Sequence, residues 1–119
     1  MRIATGLALD AALICLFAAI GRRNHGEGSA LLAVAGTALP FLAGMAACWL
    51  ISLTAFHRAP LSVRDAIPLW LGTVAIGMVL RSLTGEGTAF SFIVVATVFL
   101  GTGLLGWRAL AALATRRRA

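Results

Sequence analysis

The residue with the clearest potential for chemistry is Asp10, an acid inside an otherwise apolar stretch that begins at Ile3. Seven residues of helical rise place its carboxyl group roughly 10 Å beyond the start of that stretch. At such a depth in a bilayer an ionisable group has to be paired, neutral or in contact with water. Thr73 and Arg108 occupy comparable depths in later apolar stretches, and the geometry allows a cluster of the three side chains. Two interpretations stay open: a clamp that fixes helix packing, and a pathway for protons or a solute.

A second set of polar residues lies in two similar turns. Residues 22–30 and 81–89 have the sequences RRNHGEGSA and RSLTGEGTA, at an offset of 59 residues (85 − 26). Helix-end chemistry explains the pattern: arginine at a helix C-terminus, glycine for a left-handed turn, and Ser29 or Thr88 as the N-cap of the next helix. In a functional interpretation, the two turns form an outer vestibule for an anion or polar solute. The vestibule residues would be Arg22, His25, Glu27, Arg81 and Glu86.

The sequence contains no arrangement typical of a catalytic or metal site. A Ser-His-acid set is absent, His25 and His57 fall at opposite ends of the predicted bundle, and no glycine-rich phosphate loop follows a strand. Cys15 and Cys48 lie at different depths inside apolar stretches, so we expect free thiols rather than a disulfide. We therefore expect no enzymatic activity, no cofactor and no bound metal.

The polar residues would be positioned by four membrane-spanning helices. The 119-residue chain is 61% hydrophobic with a mean hydropathy of +0.97, whereas an average soluble domain is roughly 45–50% apolar. Each of four apolar stretches approaches or exceeds the ~20 helical residues that cross the hydrocarbon core. The predicted fold is therefore an all-α membrane protein. Its spans are approximately Ile3–Gly21, Ala30–Leu53, Ala66–Leu83 and Ala89–Ala112.

The offset of 59 residues also divides the chain into two similar halves. It pairs Gly44 with Gly103 in addition to the repeated turns. We predict a single integral membrane domain, residues 1–119, built as two tandem helical hairpins over approximately 1–59 and 60–119. Because both hairpins would start on the same side of the membrane, the repeat would be parallel, with its axis along the membrane normal.

Charge and aromatic residues give an orientation. Ten arginines and four acids give a net charge of +6. The arginines divide unevenly between the two sides, which predicts a multi-pass protein of the cell membrane with both termini in the cytoplasm. Trp49, Trp70 and Trp107 fall at the same cytoplasmic interface, which favours an aromatic belt at the lipid headgroups. The cytoplasmic side would hold Arg2, Arg58, Arg64, Arg108, Arg116, Arg117 and Arg118, and the outer side Arg22, Arg23 and Arg81.

The expected partners follow from this arrangement. The arginines flank apolar spans, so the lipid bilayer is a simpler partner than nucleic acid. Because four short helices enclose little interior of their own, we also expect a homo-oligomer. A small polar or ionic solute remains a candidate ligand.

Several stretches together resemble an uncharacterised family of small four-helix bacterial membrane proteins. They are residues 10–18, 21–27, 40–44 and 77–94, so the resemblance covers nearly the whole chain. It implies a membrane location and a four-helix fold. Since that family is a domain of unknown function, the resemblance implies no substrate, cofactor or catalytic residue.

Two hypotheses of function remain. In the first, the protein is a transporter or channel for a small polar or ionic solute, with Asp10 as the intramembrane switch. In the second, it is a non-catalytic accessory or assembly subunit of a membrane complex, whose polar residues only hold helices together. Replacement of Asp10 by asparagine would abolish flux under the first hypothesis and lower thermal stability under the second.

Overall fold

The computed structural model describes residues 2–23 and 30–118, which form four helices. Each of the four is long and apolar enough to cross a membrane. The protein is therefore an all-α, multi-pass membrane protein, as the sequence predicted. The helices are α1 (Ile3–Arg23), α2 (Ala30–Ala55), α3 (Val63–Leu83) and α4 (Phe90–Arg118).

The helices form an elongated bundle in which neighbours along the chain run in opposite directions. Asp10, near the start of α1, meets Trp49 near the end of α2 and Arg108 near the end of α4. Helix α3 packs extensively against α2 and α4, whereas the seam between α1 and α4 has the fewest contacts. The bundle measures 49 × 29 × 24 Å, and its longest dimension is close to the ~40–45 Å of a bilayer with its headgroups.

Glycines on α3 bring this helix close to α2. A Cβ atom on Gly72 would lie 2.5 Å from the sulfur of Cys48, and one on Gly77 would overlap the ring of Phe41. Small residues at such contacts let two membrane helices approach closely, where van der Waals packing replaces the hydrophobic driving force. The α2–α3 seam is therefore the tightest part of the bundle.

Aromatic rings fill the bundle interior away from Asp10. Phe17 of α1 packs edge-on against Phe41 of α2, with ring centroids 5.6 Å apart. Phe92 and Phe99 of α4 lie 5.8 and 5.4 Å from the same Phe17 ring. These contacts join three of the helices through aromatic packing. Large apolar side chains elsewhere face outward, as a lipid-solvated surface requires.

Helix α3 begins at Val63, three residues earlier than the apolar pattern predicted. Ser62 caps it, because the Ser62 hydroxyl oxygen accepts a hydrogen bond of 3.0 Å from the Asp65 amide. Pro68 consequently lies beyond the first turn, where it withholds one intrahelical hydrogen bond from the carbonyl of Arg64. A polar cap can thus start a membrane helix before its apolar stretch begins.

The turn from α3 to α4 has the glycine geometry that the repeated sequence predicted. Gly85 has a φ of +79°. The Glu86 amide donates to the Arg81 carbonyl at 2.8 Å, and the Gly85 amide donates to the Ser82 carbonyl at 3.2 Å. This pair of hydrogen bonds is a Schellman motif, and it ends α3.

The predicted N-cap of α4 is wrong. Helix α4 begins at Phe90, and its first hydrogen bond runs from the Ile93 amide to the Ala89 carbonyl at 3.0 Å. Ala89 therefore occupies the cap position instead of Thr88. The other copy of the turn, residues 24–29, lies outside the described residues, so the internal repeat and its hairpin halves stay a prediction.

Candidate functional site

At one end of the bundle, three side chains converge on the fully buried carboxylate of Asp10. Its Oδ1 accepts hydrogen bonds from Arg108 Nη1 and Trp107 Nε1, each at 2.8 Å. Its Oδ2 accepts from Arg108 Nη2 at 2.7 Å and from Trp49 Nε1 at 2.8 Å. We call Asp10, Trp49, Trp107 and Arg108 the Asp10 cluster. It joins α1, α2 and α4, and its location defines the Asp10 end of the bundle.

The guanidinium of Arg108 is as enclosed as the carboxylate, with none of its side chain exposed. Its two Nη atoms grip Asp10 in the bidentate geometry that gives the strongest ion pairs. Its Nε donates to the carbonyl of Pro60 at 2.9 Å. Its Nη1 also donates to the carbonyl of Leu104, at 2.8 Å. The guanidinium also lies 4.4 Å from the ring centre of Trp107. Arg108 therefore holds the α2–α3 connection as well as Asp10.

Gly6 lies where α1 meets Leu61 and the two indoles of the cluster. It precedes Asp10 by four residues and so lies on the same face of α1. A Cβ atom on Gly6 would be 2.6 Å from Leu61, and 3.4 and 3.5 Å from the rings of Trp49 and Trp107. The absence of a side chain at this position leaves room for Leu61 of the α2–α3 connection, and both indole rings lie at ordinary van der Waals distance from the same face of α1.

The hydrogen bonding of the cluster is saturated at Asp10. A carboxylate offers about four acceptor positions, and four donors occupy them here. Opposite charges in full contact offset much of the cost of burying either one. A solute or proton that used Asp10 would first have to displace these donors. The arrangement is that of a clamp between helices.

Thr73, the third predicted member of the cluster, is fully buried but lies elsewhere. Its backbone carbonyl would be 3.0 Å from a Cβ atom on Gly44, which puts it in the α2–α3 seam. Its hydroxyl has no hydrogen-bond partner within the described part of the chain. The structure thus brings Asp10 and Arg108 together but leaves Thr73 out, because depth along a helix does not fix the face on which a residue lies.

The tryptophan side chains also depart from the prediction. Trp49 is only 2% exposed and, like Trp107, donates its indole N–H to Asp10. Trp70 donates its N–H to the carbonyl of Thr97 at 2.8 Å. Protein acceptors therefore engage all three N–H groups. Trp49 is too enclosed to belong to the predicted aromatic belt, which stays a prediction for Trp70 and Trp107.

Two of the predicted vestibule residues, Arg81 and Glu86, lie at the opposite end of the bundle. The Arg81 Nε and Nη2 donate to the carbonyl of Gly87 at 3.0 and 2.8 Å, and the guanidinium lies 4.3 Å from the ring centre of Phe92. A cavity of about 380 Å³ adjoins Arg81 and Glu86, and Thr37 adds a hydroxyl to its lining. Arg81 thus stabilises the α3–α4 turn through hydrogen bonds and forms part of the cavity wall.

The other vestibule residues cannot be compared with this geometry. His25 and Glu27 lie outside the described residues, and so does the side chain of Arg22, although its backbone belongs to the last turn of α1. The convergence of both turns on one vestibule stays a prediction. Within the described ranges, no three His, Cys, Asp or Glu side chains group as metal ligands would.

Sequence reasoning missed Gly6, Trp49 and Trp107 near Asp10, and the carbonyl of Pro60 as a partner of Arg108. Two signals were present in the sequence. Trp49 and Trp107 lie near the ends of their apolar stretches, at a depth that matches Asp10, and Gly6 lies one turn before Asp10. A buried acid needs several donors, so tryptophans at its own depth are candidates before lipid headgroups are.

Comparison with known proteins gives one finding. A family model described as "Protein of unknown function (DUF3054)" matches residues 7–111, a range that includes every residue of the Asp10 cluster. Neither the curated proteins nor the solved structures include a match to this chain. The resemblance to an uncharacterised family is thereby confirmed.

Proposed function

The chain belongs to DUF3054, a family of proteins of unknown function, and on that premise we propose that it is a non-catalytic accessory or assembly subunit of a membrane complex. The observation that carries this proposal is the saturated Asp10 cluster. Its four hydrogen bonds tie α1 to α2 and α4. Such a clamp stabilises a fixed shape, and a fixed shape is what an assembly subunit presents to its partner.

The packing of the bundle supports the same role. Phe41, Ile14, Leu100 and Leu104 are fully buried along its length, so the interior between the described helices is filled by side chains rather than water. A closely packed interior gives a solute no path along the bundle axis in this conformation. The surface, rather than the interior, is then the part available for function.

The α1–α4 seam is the surface that best suits a partner. The backbones of α1 and α4 make fewer close approaches than those of the other packed helix pairs, and an apolar groove of about 550 Å³, lined by one residue of α1 and six of α4, lies beside the seam. Membrane helices associate through close van der Waals packing, and Thr102 and Gly103 are small residues that let a partner helix approach the groove. The groove is lined by Leu13, Val94, Val95, Val98, Phe99, Thr102 and Gly103.

Site-specific photocrosslinking tests the proposal. A photoreactive residue would replace Val98 in the groove or, as the control, Val79, which faces outward from α3 and is similarly exposed. We expect one adduct of defined mass with a different membrane protein from position 98 and none from position 79. An adduct of twice the mass of this chain would show that the seam joins copies of it. That outcome, or equal crosslinking at both positions, would refute the assignment of the α1–α4 seam to a different partner protein.

The topology that we propose has both termini in the cytoplasm of a cell-membrane protein. Seven arginines at or beyond the Asp10 end, against three at the opposite end, support this orientation. The parallel hairpin repeat is also part of this proposal. The Gly-Glu-Gly turn at residues 85–87 joins the two helices of the second proposed hairpin and supports that half of the repeat. Reporter fusions or cysteine accessibility at Arg2 and Thr115 would test the orientation, and both positions should respond as cytoplasmic.

Transport of a small polar or ionic solute is the second candidate function. The cavity beside Arg81 and Glu86 favours it, because it combines charged groups with a volume that suits a small molecule. In this candidate Asp10 would act as the intramembrane switch and release Arg108 during each cycle. Proteoliposomes loaded with pyranine or with a chloride-sensitive dye would report proton or anion flux. Flux in the native protein that Asp10→Asn abolishes, at equal amounts of folded protein, would favour transport over the accessory role.

A further inference from the structure

A second cavity lies at the Asp10 end, beneath the connection between α2 and α3. It has a volume of about 390 Å³, within the range of small-molecule binding sites. Its deeper wall is formed by Cys48 and Leu69, and Arg58 and Asp65 stand at its polar side. It shares no side chain with the Asp10 cluster.

The cavity changes from apolar to polar along the direction of helices α2 and α3, towards the connection that joins them. Cys48 and Leu69 belong to the membrane spans Leu32–Ala55 and Val63–Leu83. Arg58 lies between these spans, and 61% of its side chain is exposed. The apolar inner part of the cavity would suit the acyl chain of a lipid, and the charged rim at the membrane boundary would suit its headgroup.

The rim is held in place by hydrogen bonds that do not involve a ligand. The Arg58 amide donates to the Ser52 carbonyl at 3.1 Å, and the Ser52 hydroxyl donates to the Arg58 carbonyl at 2.6 Å. Arg108 holds the carbonyl of Pro60, another residue of the lining. A connection fixed at both positions gives a cavity that exists before its ligand binds, which reduces the entropy lost on binding.

Arg58 has donors available for a ligand. Its Nη2 contacts Asp65 Oδ2 at 3.0 Å, whereas its Nε and Nη1 make no hydrogen bond to the described residues. A guanidinium can bind a phosphate through two parallel N–H···O hydrogen bonds. Arg64, exposed one residue before Asp65, adds a further positive charge near the rim. Arg58 and Asp65 balance each other within the lining, so the excess positive charge that favours an anion comes from Arg64 beside the cavity.

We propose that this cavity binds one anionic phospholipid of the bilayer, with its phosphate on Arg58 and an acyl chain against Cys48 and Leu69. This proposal goes beyond the accessory role and does not depend on it. The lipid would fill the space under the α2–α3 connection and so support the segment that Arg108 also holds.

The two free cysteines provide the measurement. Cys48 lines the cavity, whereas Cys15 is exposed on α1 and serves as an internal control. The purified full-length protein in detergent would be titrated with phosphatidylglycerol, or with phosphatidylcholine of the same chains, and the alkylation rate of each thiol measured by peptide mass spectrometry. We expect phosphatidylglycerol to slow the alkylation of Cys48 at least threefold and to leave Cys15 unchanged.

Two substitutions that each remove one positive charge distinguish a specific lipid site from nonspecific electrostatic attraction of anionic lipid to the protein. Arg58→Gln should raise the concentration of phosphatidylglycerol that protects Cys48 about tenfold, because it removes charge-assisted hydrogen bonds. Arg116→Gln, at an exposed position outside the cavity, should leave that concentration unchanged, and Arg58→Lys should change it less than Arg58→Gln does.

Several outcomes would overturn the proposal. They are an unprotected Cys48, equal protection by phosphatidylcholine or by inorganic phosphate alone, and an Arg116→Gln shift as large as that of Arg58→Gln. Because the native protein alone decides the first two, the test does not depend on whether the Arg58 variants fold.

Discussion

Replacement of Asp10 by asparagine probes the Asp10 cluster with almost no change of shape. Each carboxylate oxygen accepts one hydrogen bond from Arg108 and one from an indole. The amide of asparagine has one acceptor end and one donor end. Whichever way it turns, its NH₂ group faces two donors. The substitution therefore removes two hydrogen bonds and leaves the buried guanidinium without a counter-charge.

The expected loss of stability follows from those contacts. A hydrogen bond to a charged group contributes about 1.5–3 kcal/mol, so two of them account for about 3–6 kcal/mol. Removal of one partner from a buried ion pair costs about 3–5 kcal/mol in other proteins. We therefore expect Asp10→Asn to lower the free energy of unfolding by about 3–5 kcal/mol, a large part of the ~5–15 kcal/mol typical of a folded domain.

Tryptophan fluorescence can report this loss from the cluster itself. The chain has three tryptophans, and a Trp70→Phe background leaves only Trp49 and Trp107, both of which donate to Asp10. Unfolding by a denaturing detergent in mixed micelles would be followed by fluorescence and by circular dichroism. The matched control is Asp65→Asn, whose carboxylate pairs with the 61%-exposed Arg58 and should cost at most about 1 kcal/mol.

A double-mutant cycle then isolates the ion pair. Asp10→Asn combined with Arg108→Gln should be at least 1 kcal/mol more stable than the sum of the two single losses predicts, because the second change removes the unpaired charge. The reasoning is refuted if Asp10→Asn costs no more than Asp65→Asn, or if the two single losses add without interaction.

Two further predictions concern the α2–α3 seam, and each is checked in the same unfolding assay. Thr73→Val removes a buried hydroxyl without a partner in the described structure and should stabilise the protein by about 1–2 kcal/mol. Thr97→Val is the control: it removes a hydroxyl that donates a hydrogen bond to the carbonyl of Ile93 at 2.7 Å, so it should not stabilise the protein. Gly77→Ala forces a methyl group into the ring of Phe41 and should cost about 1–3 kcal/mol. Gly36→Ala, which meets nothing within 4 Å, should be neutral or stabilise slightly.

The fold could be predicted from hydropathy because a bilayer limits the alternatives. A long apolar stretch in lipid has to be helical, since only a helix satisfies its own backbone groups. The boundaries were less predictable, because single caps decide them. Ser62 starts α3 before its apolar stretch begins, and α4 starts at Phe90 without a side-chain cap from Thr88.

The candidate site could be predicted in part, from depth. Asp10 and Arg108 are opposite charges at similar depths, so the high cost of an isolated charge in lipid predicts that they meet. Depth does not give rotation about the helix axis. Thr73 has the right depth but lies in the α2–α3 seam. Trp49 was assigned to the headgroups but faces Asp10 instead.

The Asp10 cluster also sets an order for the biogenesis of the protein. Asp10 and Arg108 are 98 residues apart in the chain, so α1 enters the membrane long before the arginine that neutralises its acid has been synthesised. A charged residue costs about 2.5–3.5 kcal/mol at the centre of an inserted helix and less towards its ends, so Asp10 without its arginine carries part of that cost. The first span therefore becomes fully stable only when the last one has joined it. A chain truncated before α4 would retain an acid in lipid without its arginine, and membrane proteases and chaperones would have a means of recognising it as incomplete.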